Sequence, residues 1–157
     1  LMAYSVTEVL REAEGLDARI KWPNDIVLNK KKVCGILTEM TMKDSDIDYV
    51  VIGVGINVNN EEIPQELTIS ATSLKLETGK EINRAVLLAR ILERFEKEYE
   101  AFVKAGDLSV IQDGYNQILV NRENQVRVLE TGNEYRAIAH GINHLGELSV
   151  RGIYGYV

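Results

Sequence analysis

Lys21-Trp22-Pro23-Asn24-Asp25-Ile26-Val27-Leu28, followed after a polar turn by Lys31-Lys32-Val33-Cys34-Gly35-Ile36-Leu37, is the stretch on which the reading of this chain turns. Pro23 holds Trp22 away from the helical region and stops a strand over 18–22. Ile26 to Leu28 and Val33 to Met42 read as paired strands joined by a turn at Asn29 to Lys31. One short hairpin thus combines an aromatic residue, an Asn-Asp pair, a lysine cluster and, at Gly35, a gap in a strand. That combination suits a site where a small carboxylate meets a nucleotide phosphate.

Outward from the hairpin, Met2, Val6, Val9, Leu10 and Ala13 fall at helical spacing, and Gly15 is positioned to end that helix. Lys43 to Asp48 reads as a solvated turn. Tyr49 to Ile56 is nearly all apolar, as expected of a central strand covered on both faces. Asn57 to Ser70 is polar and reads as a loop. Ala71 to Glu77 predicts a short helix capped by Thr72 or Ser73 and closed by Gly79. A long helix follows from an Asn83 cap to Gly106, with Val86, Leu87, Ile91, Phe95, Tyr99, Phe102 and Val103 facing inward and Arg90 interrupting them. Asp107 is placed to cap a further helix to about Asn116. Beyond Val120 the texture changes to short alternating runs, 125–129, 134–142, 147–150 and 153–157, as in a small antiparallel unit.

The 157 residues, 45% hydrophobic and 27% charged, fit a globular protein of one domain with a small appendage. The boundary falls near 119–124, giving units 1–120 and 121–157. A net charge of −6 argues against general nucleic-acid binding. No apolar run is long enough to span a bilayer. The single Cys34 cannot form an internal disulfide, which is compatible with a cytoplasmic location.

The hairpin block closely resembles the K-W-P-N-D motif of the biotin protein ligases, with its lysine and a glycine three residues further on. Gly53-Val54-Gly55-Ile56-Asn57-Val58-Asn59 resembles the glycine-rich strand end of the same family. Two blocks in the right order are specific where either alone would be weak. The resemblance implies an α/β (α+β) fold, a mixed sheet with packing helices, followed by a small SH3-like β barrel. It also implies that this is the C-terminal portion of a larger ligase, with a glycine- and arginine-rich loop upstream. The implied activity is ATP-dependent activation of biotin to biotinyl-5′-AMP, then transfer to a lysine of the biotin carboxyl carrier protein of acetyl-CoA carboxylase. A homodimer is compatible with the family. A lipoate-protein ligase and a non-catalytic binding module are the competing readings.

Lys32 alone among Lys30, Lys31 and Lys32 has the family's spacing to Gly35, and a fixed ammonium there reduces repulsion between carboxylate and α-phosphate. Without the motif, all three would be a solvated turn. By the same resemblance Gly35, Gly53 and Gly55 leave a slot for biotin's side chain, with Leu37 as a wall and Lys32 at its end; the plain alternative for Gly35 is a β-bulge. Asn57 is placed to read adenine or, more simply, to cap the turn after its strand. Asn24 and Asp25 fall at the phosphate end, where Asp25 can orient a cation or bind Mg²⁺ through water. Lys21 is a weaker electrostatic candidate, and Trp22 reads as packing. No zinc site is expected from His140 and His144, and Cys34 lacks the neighbour a nucleophile needs.

Overall fold

The computed structural model describes residues 1–130 and 133–152. Helix α1 (Met2–Glu14) turns its Val6, Val9 and Leu10 inward and ends at Gly15, whose φ of 66° is the left-handed conformation that glycine adopts without strain. Four antiparallel strands follow in simple order: β1 (Arg19–Lys21), β2 (Asp25–Leu28), β3 (Lys31–Lys43) and β4 (Asp46–Ile56). The β2–β3 turn uses positive φ at Asn29 and Lys30, and the β3–β4 turn is tight around Asp44. The expected solvated turn over 43–48 is therefore shorter, and both strands run further.

A 3₁₀ turn at Gln65–Leu67 leads to the short helix α2 (Leu74–Thr78), capped by the Ser73 hydroxyl and closed by Gly79. Helix α3 (Arg84–Ala105) starts at an Asn83 side chain that accepts from the N–H groups of Ala85 and Val86. Helix α4 (Ser109–Gln117) has Leu108 at its N-cap position, so the expected cap residue Asp107 lies one residue further out, accepting from the Ser109 N–H. A separate three-stranded antiparallel sheet closes the order: β5 (Gln125–Glu130), β6 (Asn133–Ile142) and β7 (Leu148–Gly152). Among the described residues it is an open sheet, not a closed barrel. The strand expected over 153–157 lies outside the described residues.

The core lies where α1 packs on β1 and β2, with α3 against α1 and its Leu87 and Ile91 joining the cluster. Ile20, Ile26, Val33, Cys34, Leu10 and Leu74 are fully or almost fully buried there. Two expectations fail around it. Strand β4 is covered on neither face: Val51 is 50% exposed and Ile52 36%. It stands at the edge of the sheet, and an apolar composition describes what a strand tolerates rather than what packs on it. On α3, Leu87 and Ile91 are buried, but Val86, Tyr99 and Val103 are exposed.

Glu98 takes the buried place on α3 instead. Its carboxylate accepts from Ser5 Oγ on α1 and from Arg94 Nε, each at 2.5 Å. Arg94 reaches on to Glu12 at 2.9 Å and Glu8 at 3.5 Å. A buried carboxylate is tolerated only with such partners, and these tie α1 to α3.

Replacing Ile20 by Ala should destabilise the protein by about 2–5 kcal/mol, because it opens a cavity in a closed part of the core. Val51→Thr should stay within about 0.5 kcal/mol, since that side chain faces solvent. Urea unfolding of the two variants checks the contrast.

Candidate active site

The pairing of β2 with β3 contains one irregularity. Asp25 opposes Gly35 and Ile26 opposes Cys34, but Val27 opposes Lys32, so Val33 is an extra residue. Residues opposed across antiparallel strands project to the same face. Ile26 and Cys34, both buried, therefore share the core face, while Asp25, Lys32 and Gly35 share the other. Beyond the bulge the alternation is regular: Gly35 opposes Gly55, and Leu37 opposes Gly53. On the far side Lys21 of β1 opposes Asp25. One face of the sheet thus collects Lys21, Asp25, Lys32, Gly35, Leu37, Gly53 and Gly55.

On that face the Lys32 ammonium lies 2.6 Å from Asp25 Oδ1, with the lysine side chain 48% exposed. Its backbone is held as firmly as its tip. The Lys32 N–H donates to the Ser70 carbonyl at 2.8 Å, and the Lys32 carbonyl accepts from the Thr72 N–H at 2.9 Å. Asn57 completes the clamp. Its N–H donates to the Val33 carbonyl at 2.9 Å and its side-chain Nδ2 to the Thr72 carbonyl at 3.0 Å. Its Oδ1 and second amide hydrogen remain for another partner. Ser70 and Thr72 carried no functional signal in the sequence, because their contribution is made by main-chain atoms.

Asn24 closes the near end of the hairpin. Its side chain donates to the Ile36 carbonyl at 2.8 Å, and its own carbonyl accepts from the Ile36 N–H. Trp22 is half-buried and packs on the core. It also does what sequence reading missed: its indole N–H donates to the Gly146 carbonyl at 3.1 Å, and its backbone N–H to Asn121 Oδ1 at 2.9 Å. The hairpin is thereby fastened to the β6–β7 turn. Lys30 is exposed, whereas Lys31 is half-buried.

Leu37, 63% exposed, stands beside the glycines as an apolar wall. A Cβ at Gly53 or Gly55 would meet only backbone oxygens at 3.6 and 3.9 Å, which is ordinary contact. Packing among the described residues does not demand those glycines, although glycine weakens a strand. A larger apolar groove, about 980 Å³, lies against the opposite face at Ile36, Thr38, Val50 and Ile52. Volume alone would select that groove, but it lacks the lysine–carboxylate pair. No group of three or more His, Cys, Asp or Glu side chains suited to a metal occurs among the described residues. One oxygen of Asp25 is engaged by the Lys32 ammonium.

The face has the makings of an anion-handling site: a pinned ammonium, a carboxylate that orients it, and strand backbone left bare beside them. Residues 1–57, which contain nearly all of it, match the Biotin/lipoate A/B protein ligase family. The chain is 44% identical over 108 residues to the bifunctional ligase/repressor BirA of Bacillus subtilis, a match covering 68% of this chain and 33% of that protein. It is 29% identical over 159 residues to the biotin–[acetyl-CoA-carboxylase] ligase of Paracoccus denitrificans, covering 98% of this chain and 65% of that one. The biotin protein ligase from Aquifex aeolicus, solved in complex with biotin and ATP, superposes with a TM-score of 0.83 at 27% identity, covering 98% of this chain and 63% of that one. This chain belongs to the biotin protein ligase family. It spans about a third of the length of the Bacillus relative.

Cys34 sits directly beneath the site, and its thiol is pushed up to about 12, chiefly by burial, with Lys32 pulling it down and Asp25 pushing it up. It is a packed apolar group, not a nucleophile. The unfolded chain gives up this proton near pH 9, whereas the folded chain keeps it to about 12. The stability it contributes is therefore complete below pH 9 and lost as pH rises between those values. Tyr115, also pushed up to about 12 by burial, acts in the same direction. Unfolding titrations should show a smaller alkaline loss of stability in Cys34→Ala than in wild type, because Tyr115 acts in both.

Proposed function

We propose that this chain carries part of the active site of a biotin protein ligase, an enzyme that adenylates biotin and transfers it to a protein lysine. The observation that carries this reading is the Lys32–Asp25 pair, 2.6 Å apart on a glycine-bared sheet face. In the first step an oxygen of the biotin carboxylate attacks the α-phosphorus of ATP, and the bond to pyrophosphate breaks. Two anions must approach each other, and the Lys32 ammonium between them stabilises the charge that builds on the phosphoryl oxygens. Asp25 keeps that ammonium in place. In the second step a lysine amine of a carrier protein attacks the acyl carbon of biotinyl-5′-AMP, releasing AMP and forming an amide. The chemistry rests on positioning and charge rather than a covalent enzyme intermediate.

Gly53 and Gly55 floor a trough for biotin's aliphatic chain, and Leu37 walls it. Asn57 offers its free carboxamide oxygen and remaining N–H to adenine, and Asn24 shapes the phosphate end. Asp25 would be the residue to hold a Mg²⁺ accompanying the nucleotide, which would neutralise phosphate charge there. The carrier is the biotin carboxyl carrier protein of acetyl-CoA carboxylase, the compartment is the cytoplasm, and the small sheet from β5 to β7 is the body of an SH3-like unit within 121–157. Alternating runs in that segment and the family membership support those assignments, and the same membership is compatible with a homodimer.

Single-turnover formation of biotinyl-AMP by the complete protein, supplied with biotin and MgATP, tests the reading. Lys32→Ala should slow it by roughly 100- to 1,000-fold, the usual loss when one transition-state charge stabiliser is removed. Lys32→Arg should recover part of the rate, because a planar guanidinium cannot place its charge as a compact ammonium does. Lys30→Ala, at the exposed turn, should stay near wild type. Formation of lipoyl-adenylate while biotin is ignored would replace this reading with the lipoate ligase one.

Asn57→Ala should weaken ATP by about 1–3 kcal/mol, by analogy with bidentate adenine contacts. Calorimetric titration with each ligand reads this directly. An equal loss for biotin would mean that Asn57 acts through the Lys32 clamp instead.

A further inference from the structure

Of the three strand glycines on the site face, Gly35 alone has its vacant side-chain position already filled. A Cβ there would lie 2.8 Å from both Cε and Nζ of Lys32, and 3.7 Å from Asp25 Oδ1. That arrangement is not what the spacing alone would give. Lys32 and Gly35 are an odd number of residues apart, and a regular strand would send them to opposite faces. The extra residue at Val33 reverses the alternation and brings the lysine over the glycine.

We propose, on the basis of the ligase reading above, that Gly35 is a positioning residue for Lys32 rather than a gap kept for biotin. The bulge delivers the lysine stem to the correct face, and the missing Cβ lets the ammonium lie down on the strand against Asp25. The root of the side chain cannot shift to compensate, because the Lys32 N–H and carbonyl are both fixed, to Ser70 and to Thr72. Only the tip, held among the described residues by Asp25 alone, can yield. A methyl group at position 35 would therefore cost the fold little and would push the ammonium off Asp25. The damage would fall on where the charge sits.

This separates the glycines into two kinds. Gly53 and Gly55 are bare with nothing of the described chain above them, and they remain the trough. Gly35 is bare because the chain's own cation occupies the space.

Gly35→Ala in the complete protein is the test. Its thermal unfolding should match wild type, and calorimetry should give biotin and ATP affinities near wild type. Single-turnover biotinyl-AMP formation should fall by roughly 100-fold, the penalty expected for misplacing a catalytic group by about 1 Å. The double variant Lys32→Ala/Gly35→Ala should be no slower than Lys32→Ala alone, since the glycine acts only through the lysine. A crystal structure of Gly35→Ala should show Nζ displaced from Asp25. An undisturbed Lys32–Asp25 pair overturns the proposal at any activity, as does a loss of biotin affinity that matches the loss of rate. Wild-type protein that forms no biotinyl-AMP would defeat the ligase reading instead, leaving the crystallographic displacement to decide the role of Gly35.

Discussion

One surplus residue in β3 sets the geometry on which the site depends. With Val33 inserted, Val33 and Cys34 both turn into the core, and everything N-terminal to them on β3 changes face relative to everything C-terminal. Without it, Lys32 would stand on the opposite side of the sheet from Gly35 and Leu37. Lys32 stays paired with Val27 across the bulge, and on its other side, where the pairing with β4 has ended at Cys34, the segment 70–72 takes up its N–H and carbonyl in a parallel bridge. That explains why the residues after β4 return to the β2–β3 hairpin. They satisfy Lys32 backbone groups that β4 does not reach, and an unsatisfied pair there would be expensive.

Rigidity in this molecule is distributed to serve that hairpin. From below it rests on Ile26, Val33 and Cys34, all nearly inaccessible. From one side, Asn57 and Thr72 brace the bulge. From the other, the Ile20 N–H donates to the Ile118 carbonyl, and the Val120 N–H donates to the Ile20 carbonyl, which joins β1 to the end of α4. The Asn116 side chain makes a similar junction, accepting from the Ile142 N–H and donating to the Ile142 carbonyl. Gly141 permits it, since a Cβ there would fall 2.6 Å from Asn116 Oδ1. The site face itself is open, so the lysine gains its precision from main-chain bonds rather than from enclosure.

Much of this was legible in the amino-acid order. Gly15, Ser73, Asn83 and Gly106 mark helix ends by local chemistry, and local chemistry survives in the fold. The two motif blocks singled out Lys32, Gly35, Leu37, Gly53 and Gly55, and the register sets these residues on one face of the sheet. What could not be read depended on distant partners. Glu98 looks like any solvated helix carboxylate until Ser5 and Arg94 close on it. The apolar run in β4 implied burial, but burial is a property of what lies alongside. A bulge was legible only as an alternative at Gly35, whereas the extra residue is Val33, and the doublet Val33-Cys34 that marks it looks no different in sequence from Ile36-Leu37.

The bond from the Trp22 indole to the Gly146 carbonyl gives the protein an intrinsic optical gauge. Trp22 is the only tryptophan in the chain, and it sits where the hairpin meets the β6–β7 turn. Its emission therefore reports on one junction, undiluted by other indoles. Separation of the small sheet from the hairpin would hydrate the ring and shift that emission to the red, even with the main core intact. Whether the two sheets part before or together with global unfolding becomes a question of whether fluorescence and helical circular dichroism change at the same denaturant concentration.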